Sequence, residues 1–266
     1  VREELDYARE ASHARLYAGI LEHDDLVRVP KIHEPLSTQR MLVMEWLEGK
    51  KLLTFKDHGE AQRNLLARAM FRAWWRPFAH YGVIHGDPHL GNYTAAQDDQ
   101  GDPTHINLLD YGCIRIFPAD FVQGVIDLYK GILADNKDRI WSAFETWGFE
   151  NLNAELVDIL TVWARFIYGP LLDDRERTIA DGISPGAYGR EEAFKVHQQL
   201  KEKGPVRIPR EFVFMDRAAI GLGSVFLHLN AKLNFYEMFN AEIAGFDRDQ
   251  LATRQAEALT TARVEQ

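Results

Sequence analysis

Asp87, Asn92 five residues later, and Asp110 are of the right types and in the right order to hold a phosphate and its metal. The first two lie in His85-Gly86-Asp87-Pro88-His89-Leu90-Gly91-Asn92, and Asp110 opens an Asp-Tyr-Gly turn after Leu108-Leu109. Pro88 and Gly91 suit irregular backbone, so Asp87 and Asn92 are expected on a loop and Asp110 at a strand end. In phosphoryl transfer, an aspartate so placed accepts or orients the nucleophile's proton. The asparagine oxygen and the second carboxylate then hold magnesium against phosphate oxygens. Each residue alone has a plainer reading, as a turn cap or the start of a hairpin turn. The ordered set, HGDxxxxN followed by an apolar strand and DYG, favours phosphoryl transfer. Asp87, Asn92 and Asp110 are therefore the candidate catalytic residues, with Asn92 and Asp110 as the metal ligands.

The same stretch offers His85, Asp87 and His89, with His80 and His105 nearby, as ligand types for zinc or iron in a metal hydrolase. Gly86 and Pro88 suit a turn better than a rigid strand that aims three ligands inward. That reading also leaves Asn92 and Asp110 without a role. His85 is better explained as a structural residue tying the loop to the strand that carries Asp110.

Upstream, Met41-Leu42-Val43-Met44-Glu45-Trp46-Leu47-Glu48-Gly49 is placed to connect two lobes. An adenine edge would bond the Glu45 carbonyl and the Leu47 amide, with Met44 at the back of the pocket. Residues 2–22 are expected to form a helix, its early acids Glu3, Glu4 and Asp6 suiting the helix dipole. Val27–Glu34 and Gln39–Trp46 are expected as short strands, the second buried in a sheet. Residues 60–80 carry a long helical pattern that Pro77 should kink or end. Asn92–Ala96 and His105–Asp110 are expected to form a hairpin around a solvated acidic tip at 97–103. Helices follow at about 118–134, 137–147, 153–169, 190–203, 209–229 and 231–244, and 247–264 is polar, Ala-rich and a candidate for fraying. Gly221-Leu222-Gly223 lies within one of these helices, where close packing explains it better than phosphate binding.

The chain of 266 residues can bury a substantial core, and its 46% hydrophobic and 27% charged content is that of a globular protein. Its 31 basic and 40 acidic residues give a formal charge of -9. This acidic balance argues against a nucleic-acid partner. A single cysteine, Cys113, excludes an internal disulfide and fits a reducing compartment, so the expected location is cytoplasmic. No run of about 18 apolar residues marks a membrane span. Only Cys113–Phe117 separate Gly112 from a helix start at Pro118, which leaves no room for the long activation segment that seats a peptide on a protein kinase.

The sequence resembles the UbiB/AarF/ADCK family of atypical, protein-kinase-like proteins. The resemblance is carried by Glu4-Leu5-Asp6-Tyr7-Ala8-Arg9-Glu10-Ala11, Leu42–Gly49, His85–Asn92 and Leu109-Asp110-Tyr111-Gly112, with a weaker likeness over Phe214–Leu222. It implies an α+β, protein-kinase-like fold: an N-lobe remnant over residues 1–48 and a helical C-lobe over 49–266. It implies Mg-ATP as cofactor, with Glu4 and Asp6 as the ExD signature and Glu4 as the C-helix glutamate. Asp87 would be the catalytic-loop aspartate, with Asn92 and Asp110 on the metal. It further implies a small-molecule or lipid acceptor, a link to ubiquinone-type lipid synthesis, quinone-biosynthesis protein partners and peripheral membrane contact. Leu90 stands where the family usually has proline, and Tyr111 where it has phenylalanine. The KxGQ signature, Ala-rich loop and strand lysine of the family would precede Glu4, where only Val1-Arg2-Glu3 stand. The expectation is a truncated N-lobe in a fragment rather than a degenerate form. Competing expectations are an aminoglycoside- or choline-kinase-like phosphotransferase and an inactive scaffold of a lipid-biosynthesis complex.

Overall fold

The computed structural model describes residues 6–181, 198 and 209–264. Glu4 and the expected helix at 190–203, apart from residue 198, lie outside them. The fold is α+β and protein-kinase-like, predominantly helical with two small sheets. Helix α1 spans Tyr7–Ile20 and α2 spans Glu60–Tyr81. The strands are β1 (Val27–Arg28), β2 (Lys50–Lys51), β3 (Val83–His85), β4 (Tyr93–Gln97), β5 (Pro103–Leu108) and β6 (Ile114–Ile116). Then come α3 (Ala119–Leu133), α4 (Lys137–Thr146), α5 (Ala154–Tyr168), α6 (Arg210–Leu229), α7 (Phe235–Glu242) and α8 (Arg248–Ala262).

The larger sheet runs β1-β5-β4-β2, and β3 pairs with β6 in the smaller one. The expected hairpin is present as β4 and β5, with Tyr93 opposite Leu108 and Ala95 opposite Ile106. Its tip is a polar turn in which Asp98 accepts from the backbone N–H groups of Gln100 and Asp102. Strand β6 was not among the expected elements. Three of the five residues between Gly112 and Pro118 form it, antiparallel to β3, so His85 faces Ile114.

Three expectations need correction. Gln39–Trp46 is not a buried strand. Met41 is 51% exposed and Trp46 82% exposed. The segment joins Lys31–His33 only through isolated bonds, from His33 N–H to the Val43 carbonyl and from Glu45 N–H to the Lys31 carbonyl. Pro30 and Pro35 remove ladder donors on the facing side, so apolar composition there does not produce a continuous pair. Second, Pro77 does not end α2, which runs one more turn to a Gly82 cap. Only the donor at position 77 is missing; the residues after it still bond back, and the ring is buried in the core. Third, α8 is not frayed. Asp247 caps it, Leu251 and Leu259 are buried, and Gln255 Nε2 donates to the carbonyls of Tyr81 and Phe117.

Helix α2 is the central rod. Leu66, Met70, Trp74 and Phe78 are buried on it at successive four-residue spacings, with Phe71 buried beside them. Each such side chain contributes roughly 1.5–3 kcal/mol of burial. Helix α1 packs against α8, where Arg15 Nε donates to the Ala262 carbonyl at 3.2 Å, and its Tyr17 ring meets Tyr111 with 5.9 Å between centroids. Asp24, fully buried, joins Arg72 at 2.9 Å and Arg76 at 3.0 Å and ties the approach to β1 onto the rod. Gly82 ends the rod at φ 65°, where an added Cβ would meet the Phe117 carbonyl at 2.7 Å. The left-handed backbone and the clash act together. Gly82→Ala is expected to lower stability by about 2 kcal/mol or more in urea unfolding, and an unchanged midpoint would contradict this account.

Candidate functional site

The candidate residues meet where β3, the hairpin and the Asp-Tyr-Gly turn converge. Buried His85, at the end of β3, is the joint. Its Nδ1 accepts the Asp87 N–H at 3.2 Å, and its Nε2 lies 2.8 Å from the Asp110 carbonyl. A backbone N–H can only donate and a carbonyl can only accept, so the proton is on Nε2. One neutral ring therefore fixes the backbone of both carboxylate-bearing residues. Burial holds its pKa below the ordinary histidine value of 6.5. The Trp74 indole N–H donates to the His85 carbonyl at 3.1 Å and anchors the strand end on the rod.

The loop after His85 has local reasons for its residues. Gly86 N–H donates to the Cys113 carbonyl at 2.8 Å, and a Cβ on Gly86 would meet that oxygen at 2.6 Å. Only glycine lets the loop lie against β6. His89 Nδ1 accepts the Gly91 N–H and caps the short turn that delivers Asn92. Asn92 Nδ2 donates to the Asp87 carbonyl at 3.0 Å. Asp110 Oδ1 accepts the Gly112 N–H at 2.8 Å. Among the described hydrogen bonds, Oδ1 of Asn92, Oδ2 of Asp110 and both carboxylate oxygens of Asp87 have no protein donor. Asp87 and Asp110 both push the buried Tyr93 phenol upward, after the larger effect of its burial. The two carboxylates are thus neighbours of one ring.

The zinc or iron reading fails here because both ring nitrogens of His85 are committed within the protein. Among the described residues, no group of three or more His, Cys, Asp or Glu side chains is placed to hold a metal. Tyr111, where the resemblance leads one to expect phenylalanine, is buried, and its hydroxyl donates to the Leu108 carbonyl at 2.6 Å. The hydroxyl is thereby satisfied and the turn tightened.

Glu10 is the residue that sequence reasoning missed. Its Oε1 accepts the Tyr111 N–H at 3.2 Å, so α1 holds the turn from above. Its pKa is raised by burial and also by the Asp110 charge, against the lowering effect of the Tyr111 bond. The available signal was its place in the helix: Glu10 is three residues before His13, whose Nδ1 lies 3.1 Å from the Tyr111 carbonyl. These two side chains clamp the N–H and C=O of one residue. Of the predicted pair, Glu4 lies outside the described residues. Asp6 is exposed and caps α1 by accepting the Arg9 N–H at 3.1 Å. In the connection, Glu45 N–H is used by Lys31, and Met44 bridges Ile32. The Glu45 carbonyl and the Leu47 N–H take part in no described hydrogen bond. Gly49 crosses the hairpin so closely that a Cβ would lie 2.6 Å from the Thr94 hydroxyl. Asn107 Nδ2 donates to the Glu48 carbonyl at 3.0 Å and fastens the crossing.

Helix α6 closes the site from the other side. A Cβ on Gly221 would lie 2.8 Å from Pro88 Cγ, so this glycine admits the loop onto the helix. The second glycine of the pair, Gly223, meets nothing. By length and composition, α6 is the one described helix that could cross a bilayer, although Asp216 and Arg217 interrupt it and its buried residues join the core.

A family model, the ABC1 atypical kinase-like domain, matches residues 1–144. The AarF domain-containing protein kinase 1 of Xenopus tropicalis is 26% identical over 222 residues, covering 80% of this chain and 40% of that protein. The chloroplastic protein ACTIVITY OF BC1 COMPLEX KINASE 1 of Arabidopsis thaliana is 24% identical over 243 residues, 89% of this chain and 33% of its own length. The mitochondrial atypical kinase COQ8B of Rattus norvegicus is 28% identical over 166 residues, 59% of this chain and 31% of its own. The chain therefore spans less than half the length of each of these relatives. Among solved structures, the Rv3197–erythromycin complex from Mycobacterium tuberculosis superposes with a TM-score of 0.62 at 20% identity, covering 92% of this chain and 59% of that one. This likeness bears on the fold.

The clamp and the joint both use imidazoles whose burial disfavours the charged form, which gives stability a defined pH response. Burial pushes His13 down to about 4, and His85 is shifted the same way. Unfolded histidines take up protons near 6.5, so the folded state is favoured fully above that pH and loses ground as pH falls toward 4. The loss amounts to about 1.4 kcal/mol per pH unit for His13, and His85 adds to it in the same direction. Urea midpoints between pH 7 and pH 4.5 should fall, and His13→Gln should fall less steeply than wild type; parallel slopes would remove His13 from this role.

Proposed function

This chain belongs to the ABC1 atypical kinase-like family, and from that premise we propose that it carries the metal-and-base half of an Mg-ATP site. The site would serve ATP hydrolysis or phosphoryl transfer to a small or lipid-like acceptor. The observation that supports the reading is the His85 joint, which holds the Asp87 N–H and the Asp110 carbonyl to one ring. The amide nitrogen of Asn92 is occupied on the Asp87 carbonyl, so its oxygen remains for a ligand.

The donors fit magnesium. Oδ1 of Asn92 and Oδ2 of Asp110 are hard oxygens, and Mg²⁺ takes one or two protein oxygens with phosphate and water for the rest. When bound, the ion supplies charge neutralisation on the phosphate oxygens. Asp87 would orient the attacking water or hydroxyl and take its proton. The Glu45 carbonyl and Leu47 amide would meet the adenine edge, with Met44 behind it. Glu10 and His13 would act only by holding the Tyr111 backbone. In this reading Asp6 serves the helix start first, and Glu4 keeps its proposed pairing with a nucleotide-binding lysine.

The family resemblance supports an acceptor connected with isoprenoid-quinone synthesis and work at, rather than across, a membrane surface. The absence of a peptide-seating segment supports a small acceptor over a protein one, since the residues after Gly112 are consumed by β6. A scaffold without chemistry is the competing reading that the same fold permits.

Two variants separate these readings. Asp110→Asn should weaken Mg-ATP binding by about tenfold or more in calorimetric titration. Asp87→Asn should leave that affinity within about threefold and lower phosphate release by a factor of 10²–10⁴, roughly. Unchanged affinity in the first variant removes Asp110 from the metal. Unchanged release in the second leaves the scaffold.

A further inference from the structure

Away from the catalytic loop, α5 and α6 border a cavity of about 460 Å³ walled mainly by aromatic and aliphatic side chains. Folded interiors rarely leave voids larger than a water molecule, whereas small-molecule sites of this kind measure roughly 300–1,000 Å³ and carry only a few polar groups. Trp147, Trp163 and Phe212 form part of the wall. One carboxylate, Asp216, stands among them. Its Oδ1 accepts the Trp163 indole N–H at 2.7 Å. Its other oxygen has no donor among the described hydrogen bonds, and no Lys, Arg or His is among the described lining residues. Burial accordingly raises its pKa to about 6, against the lowering effect of the Trp163 bond. An acid in an apolar wall, held by one indole and faced by no cation among the described residues, is a handle for something that brings a donor with it.

We propose that this cavity is a binding site for an amphiphilic small molecule whose apolar body fills the aromatic walls and whose donor head, above all a protonated amine, meets Asp216. Gly223 lines the same space, and a Cβ there meets nothing within 4 Å. The missing side chain therefore leaves volume to the cavity, in contrast to Gly221 two residues earlier, which admits Pro88. The site is separate from the nucleotide reading and does not depend on it.

The test uses three twelve-carbon probes, dodecylamine, dodecanol and dodecanoate, below their micellar concentrations at pH 7.5. The readout is the fluorescence of the tryptophans in the wall. The amine should bind saturably, and at least about tenfold more tightly than the carboxylate, with the alcohol between them. Asp216→Asn should weaken the amine by about tenfold while leaving the alcohol within about threefold. Gly223→Leu should weaken all three probes by about tenfold or more, and it removes a helix glycine, which favours folding. Equal binding of the three probes, binding that neither variant alters, or no saturable binding would each overturn the proposal. Should Gly223→Leu not fold, the loss of head-group preference in Asp216→Asn decides alone.

Discussion

The site rests on a single buried imidazole. His85 receives a proton donor from the loop that follows it and gives its own proton to the turn 25 residues later. Two backbone segments from different strands are thereby held to one ring, and neither can shift without leaving a buried polar group unpaired. Such a loss costs about 1–3 kcal/mol for each group. This matters because the side chains that do the proposed chemistry, Asp87 and Asn92, are exposed or half-buried and have little packing of their own. Their precision is borrowed from His85, which Trp74 in turn holds to α2. The neutral state of the ring is part of the device: a protonated His85 would present two donors and could not accept from Asp87.

A second constraint comes from helix packing. Pro88 sits on α6 because Gly221 lacks a side chain, and the Tyr111 backbone is clamped by Glu10 and His13 from α1. The loop and the turn are therefore bounded by helices on either side and by β6 beneath. Using Ile114–Ile116 as a strand shapes the floor of the site. In a protein kinase this region is spent on a segment that seats a peptide; here it is spent on stiffening the floor of the site.

The sequence made the helices, the hairpin and the loop legible, because each rests on local signals: periodicity, caps, and the pair of glycine and proline around Asp87. It also pointed to His85 as a tie, since a histidine beside irregular backbone needs partners for two nitrogens. What it could not convey depended on distant partners. Strand β6 is three residues long and exists only because β3 lies beside it. The Met41–Gly49 stretch is as apolar as a core strand, yet Trp46 is largely exposed, since composition does not say which neighbour covers a face. Glu10 escaped notice because charge on an early helical turn has an ordinary explanation in the dipole. That explanation does hold for Asp6, one turn away. The fraying expected of α8 failed for a related reason. Its polarity is spent on bonds such as those of Gln255 to two helix-end and strand-end carbonyls, which no pattern within the helix can reveal.

The electrostatics of the assembled site then favour one kind of ligand. Glu10 and Asp110 are close enough for the Asp110 charge to raise the Glu10 pKa, and Asp87 and Asp110 both act on Tyr93. Three acids are thus gathered around one turn. Arg115 of β6 does not answer them directly: its guanidinium lies over the Phe214 ring, 4.9 Å from the centroid. A fold that concentrates negative charge on rigid backbone, with amide and carboxylate oxygens left open, gains most from a small, hard, doubly charged cation. A phosphate alone would be repelled by these acids. The demand for a cation and the demand for an anionic phosphate are met together only when the two arrive as one complex, and for that reason the proposed ligand is a magnesium nucleotide rather than either component by itself.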